Sequence, residues 1–136
     1  ISVRDALDYA INCGAKAIGF TNLNNVQDFP EIQFFAKRHP ELKVIYGAKL
    51  LCENDDFGAW TTTLLVKNQS GVKNLYKIIS DSHTNHFWRN ARVVRSVLEQ
   101  YREGLLIGSG CVNGEVFRAA LEKTEDILRE RIKKYD

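Results

Sequence analysis

GFTNLNNVQDFP, residues 19–30, decides how this chain is read. The apolar run that leads into it, AKAIGFT (15–21), is too short for a helix. It is bounded by Gly14 and an asparagine cluster, as a buried parallel strand would be. Phe29-Pro30 then opens a helix, with proline in the permissive first turn. A strand, a polar loop and a helix in that order make the place where α/β proteins usually keep their chemistry. Yet the polar residues of this loop are mostly amides, Asn22, Asn24 and Asn25, with Leu23 standing where a ligand is expected.

The flanks repeat the pattern. Upstream, VRDALDYAINC (3–13) places Val3, Leu7, Ala10 and Ile11 on one helical face, and Gly14 follows as a C-cap. Downstream, Phe34 and Phe35 lie in the helix that His39-Pro40 ends. KVIYGAKLL (43–51) is the next strand, its Gly47 marking either a bulge or a close backbone approach. TTTLLVKN (61–68) follows as a strand after the acidic turn ENDDFG (53–58).

From residue 70 the pattern is helical, with Val72, Leu75, Tyr76 and Ile79 on one stripe. A second helical stretch, SVLEQYREG (96–104), has Ser96 and Glu99 as a capping box and Gly104 as its stop. GLLIGSGC (104–111) reads as a buried strand ending in small residues that let backbones approach. Asn113 is expected to cap the helix GEVFRAALE (114–122). The last helix, from Thr124 to about Tyr135, has Glu125 and Asp126 in its first turn and Lys133 and Lys134 in its last. Strands alternating with helices give an α/β fold with a parallel or mixed sheet and right-handed crossovers.

Composition sets outer limits. The 136 residues fit one core, and 44% hydrophobic with 26% charged residues is the balance of a globular domain. A net charge of +2 argues nothing about nucleic acid. Cys13, Cys52 and Cys111 are odd in number, far apart and without CxxC spacing, so a reduced cytoplasmic compartment is expected. No apolar run approaches the roughly 20 residues of a spanning helix, and nothing at the amino end has signal-peptide order. No membrane association is expected.

Three further constellations stand out. DSHTNH (81–86) places Asp81, His83 and His86 close together, sterically compatible with a metal pair but short of the ligands a closed zinc site requires. A solvated helix end is the favoured reading. HFWRNARVVR (86–95) interleaves Phe87 and Trp88 with Arg89, Arg92 and Arg95. These guanidinium groups suit a phosphate or a domain contact, while the plainer reading puts the rings in the core and the arginines at the surface. Trp60 and the row Lys67, Lys73 and Lys77 read as core and solvated surface respectively.

Four stretches, TNLNNVQDFPE (21–31), VIYGAKL (44–50), LLVKNQSGVKNLYKIISDSH (64–83) and REGLLIGSGCVNGEVF (102–117), together resemble the PHP domain of a bacterial DNA polymerase III α subunit of the PolC type. The resemblance runs in order over nearly the whole chain. It implies a PHP-type βα barrel of the metallophosphoesterase kind, incomplete within residues 1–136, in the amino-terminal part of a large polymerase. It also implies that the chain is an excerpt, lacking the exonuclease commonly inserted near 53–59. The family's His-x-His pair would lie before Ile1 and its late Asp-x-His pair beyond Asp136.

Family members bind zinc or manganese, and the resemblance carries their ligand positions onto Asn22, Leu23, Lys49, Thr61 and Cys111. Of these, Cys111 alone is a family ligand. A metal-assisted phosphoesterase needs several anionic or imidazole groups converging on its cations. A lysine repels a cation and can occupy its space as a tethered charge. The resemblance therefore implies a degenerate metal site with no catalytic residue and no bound cofactor, in a scaffold domain. Its partners would be the remaining domains of the parent polymerase, with DNA reached through that parent. Two alternatives are an active metal-dependent phosphoesterase or nuclease recruiting Cys111, His83 and His86, and a free-standing interaction module.

Overall fold

The structure is a computed structural model and describes residues 2–54 and 58–136. The centre of the expected acidic turn, where an exonuclease insertion would sit, falls on residues 55–57, outside the described residues. In chain order the elements are α1 (Val3–Asn12), β1 (Ala17–Leu23), α2 (Phe29–Ala36), β2 (Lys43–Asn54), β3 (Gly58–Val66), α3 (Gln69–Thr84), β4 (Phe87–Trp88), β5 (Asn90–Ala91), β6 (Val93–Val94), α4 (Arg95–Gln100), β7 (Leu105–Ser109), α5 (Glu115–Glu122) and α6 (Glu125–Ile132). No helix among the described residues is long and apolar enough to cross a membrane.

α1 forms as its spacing requires, with Leu7 and Ala10 buried. Its start is fixed by a capping box that the sequence reading missed: the Asp5 amide donates to Ser2 Oγ at 3.1 Å, and the Ser2 amide to Asp5 Oδ2 at 3.3 Å. Gly14 follows in the left-handed region at φ +70°. In α2, Pro30 sits in the first turn and Phe29 and Ile32 are buried, while Phe34 faces outward.

β2 is the spine of a mixed sheet ordered β1-β2-β3-β7. β1 pairs with it in parallel from Ala17↔Lys43 to Leu23↔Lys49. β3 pairs antiparallel from Gly47↔Leu65 to Asn54↔Gly58, and β7 antiparallel to β3. Beyond the end of β1, β6 joins β2 in parallel at Cys52 and Glu53. The β1 ladder runs unbroken through Gly47, where the β3 ladder begins, and a Cβ there would meet the Leu64 carbonyl, so this glycine serves close approach and not a bulge.

The helices cover one face of the sheet. Ala48, Leu50, Cys52, Trp60, Leu64 and Ile107 pack there against Phe29 and Ile32 of α2, Leu75 and Ile78 of α3, Leu98 of α4 and Ala119 of α5. Leu7 and Ala10 of α1 form a smaller cluster with Leu42, against Ile18 and Phe20. Because side chains alternate along a strand, Leu23, Ile45, Lys49, Thr63, Leu65 and Leu106 lie on the other face, and none of them joins either cluster.

Several expectations are corrected. β1 and β7, read as buried strands, end the ordered path of the sheet: β1 exposes alternate residues, and β7 exposes Leu106 between buried Leu105 and Ile107. Tyr76 is exposed, and the buried stripe of α3 runs through Gly71, Leu75, Ile78 and Ser82. Ser96 lies inside α4, whose N-cap is Val94 with no side-chain bond, so there is no Ser96–Glu99 capping box. Asn113 does not cap α5; Gly114 does, and the Asn113 carbonyl instead accepts the Thr61 amide at 2.8 Å. α6 ends at Ile132, with Arg129 and Arg131 as its last-turn cations. Residues 87–94, placed between two helices by periodicity, form three two-residue strands.

Gly71 of α3 lies against the backbone of Gly104, whose φ is +76°. Helix propensity alone would make Gly71→Ala favourable by up to about 1 kcal/mol. Here the methyl would enter the Gly104 carbonyl, and backbone cannot yield as a side-chain end can; overpacking of this kind costs about 1–3 kcal/mol. The expected result is a lower melting temperature for Gly71→Ala, whereas Gly19→Ala, whose nearest neighbours lie at 4.0 Å, leaves it nearly unchanged. Thermal unfolding followed by circular dichroism measures both.

Candidate functional site

At the end of β1 the loop amides bond to the protein itself. Asn24 sits in the left-handed region at φ +54°, which asparagine tolerates better than most residues. Its amide donates to the Lys49 carbonyl at 2.8 Å, and its Oδ1 accepts the Leu51 amide at 2.9 Å. Asn24 thereby continues the β2 edge where β1 stops, until β6 takes over at Cys52. Asn25 Nδ2 donates to the Leu23 carbonyl at 2.9 Å, and its Oδ1 accepts the Gln27 amide at 3.3 Å. Asn22 Nδ2 donates to Asp28 and, at 3.5 Å, to Asn25 Oδ1.

The register decides which of the expected site positions meet. Leu23, Lys49 and Thr63 are aligned neighbours across β1, β2 and β3, with Thr61 two residues along β3 on the same, open face. Leu23 is 59% exposed. Asn22 pairs with Ala48 on the helix-covered face and is tied to Asp28, so it does not join them. Thr61 is bracketed by backbone, its carbonyl accepting the Gly110 amide at 2.9 Å, and its Oγ1 is buried with no hydrogen-bond partner among the described residues. Cys111 follows Gly110 in an exposed loop beside Val112 and Phe117. On the open face the neighbouring groups are thus a leucine, an ammonium and two hydroxyls. Among the described residues no three His, Cys, Asp or Glu side chains come together in a way that could hold a metal.

The other candidates separate. His83 Nδ1 lies 2.9 Å from the Ile79 carbonyl, while His86 stands beyond α3 with its Nε2 3.4 Å from Asp81. Arg92 bonds to Glu53 and Arg95 to Glu115. Arg89 remains exposed on the β4–β5 turn.

Sequence reasoning missed a heavily bonded buried charge. Glu115, fully buried at the start of α5, accepts from Arg95, from Arg131 Nη1 at 2.9 Å and from Tyr135 Oη at 2.7 Å. The Arg95 guanidinium also lies 4.9 Å from the centre of the Trp60 ring and 5.7 Å from that of Tyr135. Burial alone would lower the Arg95 pKa, but Tyr135 and Glu115 outweigh it and the net shift is upward. Burial, then Glu115, push the Tyr135 phenol well above its usual range. Nothing in the spacing around Glu115 signals this, because a glutamate in a first helical turn ordinarily serves the macrodipole.

With this geometry in view, the comparisons with known proteins can be placed. The PHP domain family model matches residues 1–136. The chain belongs to the PHP domain family. A DNA polymerase III PolC-type of Staphylococcus saprophyticus is 51% identical over 73 residues, covering 54% of this chain and 5% of that relative. The same polymerase type in Staphylococcus aureus is 47% identical over 74 residues, with the same shares. This PHP domain is homologous to the PHP region of PolC-type polymerases and spans a small fraction of the length of those relatives.

Two outcomes follow. Replacing Glu115 by glutamine removes the fully buried carboxylate that accepts from Arg95, Arg131 and Tyr135, and taking one charge out of a buried pair costs about 3–5 kcal/mol; chemical denaturation should show a loss approaching that size. Burial pushes the Cys52 thiol up to about 12, so the thiolate is scarce at neutral pH. Iodoacetamide at neutral pH should label the exposed Cys13 and Cys111 in the folded protein and spare Cys52, which mass spectrometry of digested peptides reads directly.

Proposed function

We propose that this PHP domain is a non-catalytic scaffold in the α subunit of a PolC-like replicative DNA polymerase III, supporting DNA replication by the parent enzyme in the cytoplasm. The observation that carries the reading is the pairing of Leu23 with Lys49 on the open face. PHP domains generally bind metals, but the groups aligned here do not fit one. An ammonium repels a divalent cation, a leucine offers no donor, and the threonine hydroxyls are weak neutral ligands. The ligand positions Asn22, Leu23, Lys49 and Thr61 are on this reading degenerate, with Cys111 the residue retained. No step of phosphoester hydrolysis is assigned to these residues.

The uncovered sheet face supports a place within a larger body. β1 and β7 carry apolar residues on both faces, as strands covered on both sides do, yet Leu23 and Leu106 stand exposed. On our reading this face is the interior side of a barrel that further strands of the parent chain complete. Residues 1–136 are then most of one domain, and polymerase activity resides in other parts of the parent. The homologues' name, DNA polymerase III PolC-type, supports that assignment.

Metal analysis tests the proposal. Purified protein, dialysed against zinc or manganese, should carry neither in stoichiometric amount. Restoring Leu23→His, Lys49→Glu and Thr61→His, the positions that share the open face, should return metal binding in the full-length parent, where the remaining family ligands are present. Stoichiometric metal in the unmodified chain, abolished by Cys111→Ser, would establish the phosphoesterase reading instead.

A further inference from the structure

We propose that the hairpin at residues 86–92 is a docking knuckle for another domain of the same polymerase chain, which receives it in an apolar pocket rimmed by a carboxylate. The inference rests on the scaffold reading above and names the surface through which the scaffold holds its neighbour.

The hairpin is built to present side chains outward. β4 and β5 pair as Phe87↔Ala91 and Trp88↔Asn90, leaving Arg89 alone at the tip. Trp88 is 70% exposed, Phe87 58%, and Arg89 is exposed as well. Arg89 is held at φ +59°, where a residue with a long side chain is strained. The base is anchored: the Arg92 amide donates to the His86 carbonyl at 3.2 Å and its guanidinium to Glu53. Asn85 Nδ2 and His86 Nε2 both reach Asp81, and Ala91 is buried. An exposed tryptophan beside an arginine, on a mount already held in shape, is the composition of an interface hot spot with little ordering left to lose on binding.

Nucleic acid fits this surface less well. Phe87 and Trp88 are consecutive on a strand and point to opposite sides, so they offer no continuous stacking platform. Affinity for a strand grows with the number of phosphates neutralised. Of the three arginines in this segment, Arg92 and Arg95 are committed to Glu53 and Glu115. One guanidinium beside one large exposed ring instead complements a single carboxylate next to an apolar pocket.

The full-length chain provides the test. Hydroxyl-radical labelling read by mass spectrometry should find Trp88 protected in the intact protein without DNA, while Tyr9, 73% exposed on α1, is modified. Arg89→Glu in that chain should raise Trp88 labelling about tenfold, the loss expected for one charge contact at an interface, and Arg89→Lys should restore most of the protection. A photo-crosslinker replacing Phe87 should join a peptide outside residues 1–136 that contains Asp or Glu. Trp88 labelling freely in the intact chain, protection that appears only with DNA, or a crosslink to DNA each overturns the proposal. If the intact chain incorporates nucleotides yet leaves Trp88 open, the docking inference alone fails; if it incorporates none, the scaffold reading fails with it.

Discussion

The twelve residues of β2 present two rows of backbone donors and acceptors, and a buried row left unpaired costs more than most side-chain interactions supply. One row is satisfied along its upper length by β3. The other is satisfied in relay, by β1 as far as Lys49, by the amide and side chain of Asn24, and then by β6. This relay sets the geometry of the candidate site. It fixes Leu23 beside Lys49, turns Asn22 to the opposite face, and draws the loop toward the sheet.

The two faces of the sheet follow from the same constraint. Once the register is fixed, even-numbered β2 residues such as Ala48, Leu50 and Cys52 lie under the helices, and Ile45 and Lys49 lie opposite. Charge is distributed accordingly. Glu115 enters the covered side with two guanidinium groups and a phenol as partners. Lys49 has no ion pair to a carboxylate among the described residues and stays on the open side, where water screens it. The buried charge is a tie between α4, α5, α6 and the tail at Tyr135.

Much of this was legible in the chain itself. Leu7 and Ala10 faced the core as their spacing required, Gly14 ended its helix, and the alternation of strands and helices implied a parallel or mixed sheet, of which the mixed form is found. The long resemblance through residues 64–83 and 102–117 carries the family in residue identities alone. Other features were illegible for physical reasons. A capping box at Ser96 and a cap at Asn113 are local preferences worth about 1 kcal/mol, and tertiary packing set those helix starts elsewhere. Two-residue strands at 87–94 are too short to leave a period. Edge strands resembled buried ones because their apolar residues occupy both faces while only one is covered.

The sequence by itself determined the family, the helix faces and which residue types stand at the candidate site, since these depend on residue type and local period. The tertiary structure decided which of those groups meet. Cross-strand register moves a side chain to the other face with a shift of one residue, and no local pattern records it. Long-range bonds such as Asn24 to Leu51, 27 residues apart, and Glu115 to Arg95, 20 apart, exist only because the folded chain brings them together.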